Sequence, residues 1–349
     1  MSDSQNGMSR RGLLTTAGAL SLAGAAAPLI AADPASAALP PPAPVTGEAA
    51  VSALEGAYGV HRGQRRNHTK GVGALGSFTG NPEMAAYSRS ALFGGKTLEV
   101  VARFSLAGGD PAAADTEKSP RGMALEIRLP DGAPHHLTML HTPTFFAAVP
   151  RVFLDQFIAM KIDAATGKAD PAKLKAFMAK HETSPGQGEF LARNNPPPSF
   201  ANCAFYGIHT FKFIDRAGKV TLVKYRFVPR DGEKQLTDVE QKTWPRDFLE
   251  KALIERMKRG PALWDMIVTI GEPGDVEDNP TLLWPANRRE IKAGTLSLAS
   301  AAPSADAGSY KINFDPLVMA DGIAATDDPV LLFRSPSYGA SYSKRLQGV

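Results

Sequence analysis

Residues 97–106 read Thr-Leu-Glu-Val-Val-Ala-Arg-Phe-Ser-Leu (TLEVVARFSL). Leu98, Val100, Ala102, Phe104 and Leu106 alternate with Glu99, Arg103 and Ser105, and Val101 is the one break. A period of two predicts a strand with an apolar and a polar face. Arg103 and Ser105 share the polar face, opposite Phe104. Such a face normally meets solvent; turned inward, it needs an anionic or polar ligand.

The same reading extends outward along the chain. Val72–Phe78, Gly122–Leu129, Leu263–Ile270 and Gly294–Ala299 are further strands. Gly207–Ile214 and Lys219–Phe227 form a hairpin across Asp215-Arg216-Ala217-Gly218. Helices are expected at Glu48–Gly59, Pro150–Met160, Pro171–His181 and Pro245–Arg259, the last three opening on proline. Many strands with a few helices predict an α+β arrangement, an antiparallel barrel or sandwich with helical insertions.

Composition narrows the function classes. The chain has 349 residues, 43% hydrophobic and 21% charged, which excludes a chain disordered throughout and a coiled coil. Its 39 basic and 35 acidic residues leave a net charge of +4, too mild to argue for a nucleic-acid partner. Cys203 is the single cysteine, so neither an intramolecular disulfide nor a cysteine-based zinc site can form. Redox chemistry would have to come from a bound cofactor.

The N-terminus reads as an address. Ser9-Arg10-Arg11-Gly12 precedes an uncharged run, rich in alanine and glycine, that extends to Ala32, and Ala35-Ser36-Ala37 is a small-x-small cleavage pattern. Paired arginines resemble the twin-arginine type. We expect an export signal over 1–37, a Pro/Ala-rich lead over 38–48 and one domain over 49–349. The mature protein would be periplasmic or secreted, with no stable membrane span.

Three segments carry chemistry. Arg65-Arg66-Asn67-His68-Thr69-Lys70-Gly71 sets a histidine among cations and glycines. Arg103-Phe104-Ser105 ends the opening strand. Arg334-Ser335-Pro336-Ser337-Tyr338 places Arg334 and Tyr338 at i and i+4, so that on a helix a guanidinium can meet a phenol oxygen. A cation there favours phenolate, a hard ligand for ferric iron. Each segment alone is also compatible with an ordinary loop or tail.

Together, and in this order, they resemble the haem catalases. His68-Thr69-Lys70-Gly71 is similar to the motif of the distal histidine. Arg103-Phe104-Ser105 is similar to the strand whose serine bonds that histidine and whose arginine meets a haem propionate. Arg334-x-x-x-Tyr338 is similar to the motif that ligates iron through tyrosine. Arg345 stands where the family has a further propionate-binding arginine. Tyr206–Lys212, Thr281–Pro285 with Gly294-Thr295-Leu296, and Asn313–Pro316 resemble other family motifs. The resemblance spans about Gly59 to Arg345. It implies an eight-stranded antiparallel β-barrel with a C-terminal proximal helix, and a haem of the b type.

The resemblance also implies roles. His68 would be the acid–base catalyst, oriented by Ser105. Tyr338 would be the iron ligand, supported by Arg334. Arg65, Arg103 and Arg345 would hold the propionates, and Phe146 and Phe104 would form haem walls. The chain departs from full catalases in being short and in carrying His141 where the family presents a distal asparagine. His141 would assist His68 or crowd it. These departures are similar to the catalase-related peroxidases. The expected activity is reduction of hydrogen or organic peroxides by a small organic donor, with weak or no catalase turnover, in a monomer or homodimer. The alternatives are a minimal true catalase, rearrangement of fatty-acid hydroperoxides, and non-catalytic haem binding; a nucleic-acid-binding barrel rests on Arg62–Lys70 alone. His209 reads as a hydrogen-bonded core residue. His135 and His136, after Asp131-Gly132, read as exposed turn residues.

Overall fold

The computed structural model describes residues 44–181 and 185–349. The expected export signal and most of the expected lead lie outside them; of the lead, Gly47 and Glu48 already belong to the first helix.

Eight strands form the barrel: β1 (Gly71–Gly80), β2 (Thr97–Leu106), β3 (Arg121–Arg128), β4 (Pro134–Leu140), β5 (Phe205–Ile214), β6 (Val220–Pro229), β7 (Ala262–Ile270) and β8 (Glu290–Pro303). Each pairs antiparallel with its neighbours in sequence, and β8 returns to β1. Closure removes exposed sheet edges. The expected eight-stranded barrel is therefore present, and the hairpin at Asp215–Gly218 is made as read, with Gly218 at φ 83°.

The interior is filled by the apolar half of each alternation. Phe104 lies at the centre, its ring centroid 5.3 Å from Phe200 and 5.7 Å from both Phe205 and Trp264. Phe104 is thus barrel core, not cofactor wall, because its face of β2 points to the barrel axis. The opposite face, with Arg103 and Ser105, points outward, yet it is buried beneath helices.

The seam between β4 and β5 is thin, with the single register pair Leu140↔Tyr206. A short strand, β9 (Ile323–Ala325), takes the rest of the β5 edge. The chain just before β9 bridges to β4: the His136 backbone N–H donates to Val318 O (2.9 Å), and Ala320 N–H donates to His135 Nδ1 (3.1 Å). His135 and His136 are therefore buried strand residues at 1% and 6% exposure, against the expectation of an exposed turn. The turn is completed one residue earlier, with Gly132 at φ 85° and Leu129 N–H bonded to Ala133 O.

Seven α-helices complete the described chain: α1 (Gly47–Tyr58), α2 (Pro150–Ala159), α3 (Pro171–Lys180), α4 (Pro185–Arg193), α5 (Asp238–Thr243), α6 (Leu249–Met257) and α7 (Pro329–Leu346). α4 and α5 were not anticipated. α3 buries no residue. α6 starts later than the proline suggested, because the buried Asp115 carboxylate accepts from Phe248 and Leu249 N–H (2.7 and 2.8 Å) and caps the helix from another loop. α1 packs on both α2 and α7. Its close approach to α7 depends on Gly47, where a Cβ would lie 2.3 Å from Pro336 O.

Candidate active site

Between the outer wall of the barrel and α1, α2, α4 and α7 lies a cavity of about 470 Å³. The loop before β1 brings His68 to it. His68 has φ 55°, the one positive value among non-glycine described residues. Such a conformation costs roughly 1 kcal/mol or more and persists only where its surroundings fix it. Here Asn67 Oδ1 accepts from both His68 N–H (2.9 Å) and Gly108 N–H (2.7 Å), while Thr69 Oγ1 donates to Arg65 O (2.6 Å).

The imidazole is held by Ser105, whose Oγ is 2.9 Å from Nδ1, which leaves Nε2 available to a ligand. Burial, with Arg103, Arg334 and Arg65 nearby, presses the His68 pKa down to about 3, so the ring is neutral at ordinary pH. The pair fits only because β3 carries glycine behind it: a Cβ at Gly122 would stand 3.0 Å from His68 Cε1, His68 Nδ1 and Ser105 Oγ.

α7 supplies another wall. Asp328 caps it, its Oδ1 accepting from Val330 and Leu331 N–H (2.8 and 3.2 Å). One and a half turns on, Arg334 Nη2 donates to Tyr338 Oη (2.8 Å) and to Thr138 Oγ1 of β4 (2.8 Å). The i, i+4 pairing expected from sequence is thus made, and a β-strand fixes its cation. Sequence reading did not link Asp328 with His209. Asp328 Oδ2 lies 2.6 Å from His209 Nδ1, with both side chains 1% exposed. A register shift between Gly207 and Phe211 turns Ile208 and His209 to the cavity. Burial outweighs the carboxylate and lowers the His209 pKa to about 4.

Arg65, Arg103 and Arg345 also line the cavity. Among the described residues none has a carboxylate partner. Arg65 donates to Ser309 O and Ile312 O (both 2.9 Å), Arg103 to Thr69 O (2.9 Å) and Arg345 to Ile312 O (3.2 Å). Arg345 Nη1 is buried with no partner. Burial and mutual repulsion hold Arg65 down at about 8 and Arg103 at about 10. Such a cluster calls for anions. Phe145, Phe146, Phe153 and Phe333 give apolar, ring-faced walls. A hard oxygen donor, unpaired arginines and flat apolar walls fit a haem with two propionates.

The sequence-predicted residues His68, Ser105, Arg65, Arg103, Phe146, Arg334, Tyr338 and Arg345 therefore meet in one cavity. His141 does not line it. Its Nδ1 accepts from Arg121 N–H (2.9 Å), its own N–H donates to Arg121 O (2.8 Å), and its ring meets the edge of Phe190. His141 prolongs the β3–β4 ladder, which turns it from the space where peroxide steering was expected. Gln187 of α4 lines the cavity instead and donates to Thr142 Oγ1 (3.0 Å). No spacing pattern marks it, since the sequence pattern predicts no helix over 185–193.

The catalase family model matches residues 62–349. A catalase-related peroxidase of Synechococcus elongatus is 50% identical over 305 residues, 87% of this chain and 90% of that one. A catalase-related peroxidase of Mycolicibacterium paratuberculosis is 30% identical over 302 residues, 86% of this chain and 95% of that one. The structure of catalase A from Saccharomyces cerevisiae superposes with a TM-score of 0.74 at 25% identity, covering 82% of this chain and 62% of that one. The chain thus matches the shorter relatives nearly end to end and only part of a full catalase, and it belongs to the catalase family, within the catalase-related peroxidases.

Proposed function

We propose that the protein is a haem-dependent peroxidase that reduces hydrogen peroxide or organic peroxides with an organic electron donor and has little catalase turnover. The observation that carries this reading is the convergence of His68–Ser105, Arg334–Tyr338 and three carboxylate-free arginines on one cavity. The names of the two relatives, catalase-related peroxidase, support it.

A bound haem, of the b type in our reading, supplies the ferric iron at which peroxide is reduced and the store of oxidising equivalents that the donor then discharges. The chain's residues do the rest. Tyr338 would offer its phenol oxygen to the iron, and Arg334 donates to that oxygen. Arg65, Arg103 and Arg345 would pair with the propionates, and Phe146 would give the ring an apolar wall. His68 Nε2 takes a proton from one peroxide oxygen and returns it to the leaving oxygen, a role that needs the neutral imidazole found here. Ser105 keeps the ring from turning. His141 holds the strand ladder rather than the substrate, so no amide at that position orients a second peroxide for oxidation. This is our reason for weak catalase turnover.

The paired arginines at Arg10 and Arg11 and the Ala35-Ser36-Ala37 pattern support export through the twin-arginine route to the periplasm or beyond. Among the described residues no helix is long and apolar enough to cross a membrane. A monomer or homodimer is the assembly we propose.

The test is the absorption spectrum of purified protein, wild type against Tyr338→Phe, followed by dioxygen release from hydrogen peroxide. A haem spectrum that Tyr338→Phe alters, with donor oxidation far exceeding dioxygen release, is expected. Absence of haem, or dioxygen release at the rate of a full catalase, overturns the reading.

A further inference from the structure

Arg345 is clasped by two phenol rings. Its Cζ lies 4.7 Å from the Tyr342 ring centroid and 5.6 Å from that of Tyr310. Tyr342 lines the cavity; Tyr310 does not, and it is 41% exposed. Both rings are anchored, Tyr342 Oη donating to Lys311 O (2.9 Å) and Tyr310 Oη to Gly63 O (2.5 Å). Tyr342, Arg345 and Tyr310 thus form a run of neighbouring planar groups from the cavity to the surface, and its outer end is an exposed, oxidisable phenol.

We propose that Tyr310 is a surface oxidation site for phenolic or aromatic-amine donors too large to enter the cavity, joined to the cavity through Arg345 and Tyr342. This rests on the peroxidase reading above. Twice for each peroxide, Tyr310 gives one electron through the stack, and its phenolic proton leaves the bond to Gly63 O for water. The donor then stacks on that edge and returns an electron and a proton, becoming a radical. Two donor molecules and one peroxide, ROOH, yield two donor radicals, ROH and water. Arg345 stays redox-inert; it holds the rings in line and, paired with a propionate, no longer places an unbalanced charge beside them.

The test uses the haem-loaded full chain and one phenol in two forms, free and tethered to a large dextran. Tyr310→Phe should lower the ratio of tethered to free donor turnover by about fivefold or more. Tyr310→Trp should restore it, because indole is oxidisable although it lacks the hydroxyl that bonds Gly63 O. With one equivalent of hydrogen peroxide, no donor and a nitroso spin trap, peptide mapping should find the adduct on residue 310 of the wild type and lose it in Tyr310→Phe. An unchanged ratio, an adduct found only elsewhere, or a Trp variant that behaves as Phe overturns the proposal while leaving the peroxidase reading intact. Failure of the wild type to oxidise either donor overturns both.

Discussion

Acid should unfold this protein over a narrow range, and the structure gives the slope. His68, His135 and His141 are each pressed down to about 3, and His209 to about 4, by burial first in every case. In an unfolded chain an imidazole titrates near about 6.5. Above that pH both states are neutral at these positions and the stability they contribute is complete. As pH falls below it, the unfolded chain takes up four protons that the native state refuses. Each is worth about 1.4 kcal/mol per pH unit, so the loss approaches about 5 kcal/mol per unit below pH 5.5. A domain holds in total about 5–15 kcal/mol. Urea unfolding of the haem-free protein at pH 7.5, 6.5, 5.5 and 5.0 should therefore show a flat upper limb and a steep fall, at constant dependence on urea. Unfolding in weak buffer should take up protons in the same proportion. A stability that changes by less than about 1 kcal/mol between pH 6.5 and 5.0 would refute the claim that these four rings stay neutral in the folded protein.

Four substitutions test the site itself. Ser105→Ala removes the partner of His68 Nδ1; we expect the rate of peroxide reaction in stopped flow to fall by a substantial part of the ~10²–10⁴-fold that a positioned acid–base group contributes. Gly122→Ala drives a methyl against His68 and Ser105 and should cost about 1–3 kcal/mol in urea melts, with part of that loss recovered when combined with Ser105→Ala, since one of the crowded atoms is then gone. Asp328→Ala strips the α7 cap and the His209 bond together, so its cost should exceed the ~0.5–2 kcal/mol of a cap alone, and a loss confined to that range would argue that the His209 contact carries little. Arg345→Leu replaces a buried guanidinium whose Nη1 has no partner; the haem-free protein should be unchanged or more stable by roughly 1 kcal/mol, while haem transfer to a scavenger such as apomyoglobin should become faster.

Most of the barrel was legible because its strands alternate cleanly. β2 shows why the legibility had a limit. Periodicity separated Arg103 and Ser105 from Phe104, but which face met the cofactor depended on what covered the outside of the barrel, and that is set by α1, α2 and α7 from distant parts of the chain. β4 was hidden because Pro134-His135-His136 looks like the continuation of a turn; its histidines are buried by a seam-bridging segment that follows them by nearly two hundred residues. At the site, Arg334 and Tyr338 could be paired from spacing alone, since a helix guarantees the contact. His209 and Asp328 could not, because a strand irregularity and a helix cap from separate elements create their bond. His141 lies outside the cavity lining for a related reason. Its position in a motif was clear, but ladder hydrogen bonds to Arg121 decide where its ring goes.

The arrangement of charge explains why four of the cavity's arginines survive without counter-ions of their own. Five arginines border one space; Arg66 pairs with Glu55 (2.7 Å), but among the described residues no carboxylate pairs with Arg65, Arg103, Arg334 or Arg345. Buried cations of this kind oppose folding until an anion arrives. Their hydrogen bonds to backbone carbonyls, as Arg65 makes to Ser309 and Ile312, fix their directions without neutralising them. A dianionic ligand that enters would settle the electrostatic deficit at the arginines, while its flat body replaces empty space between the phenylalanines. Binding then stabilises the native state in proportion to its affinity, since the unfolded chain offers no such site. Carboxylates placed among these arginines would stabilise the empty protein and compete with the ligand for the same cations. Their absence is therefore the feature that couples the fold to its cofactor, and it accounts for the opposite signs expected for Arg345→Leu in the empty and the loaded protein.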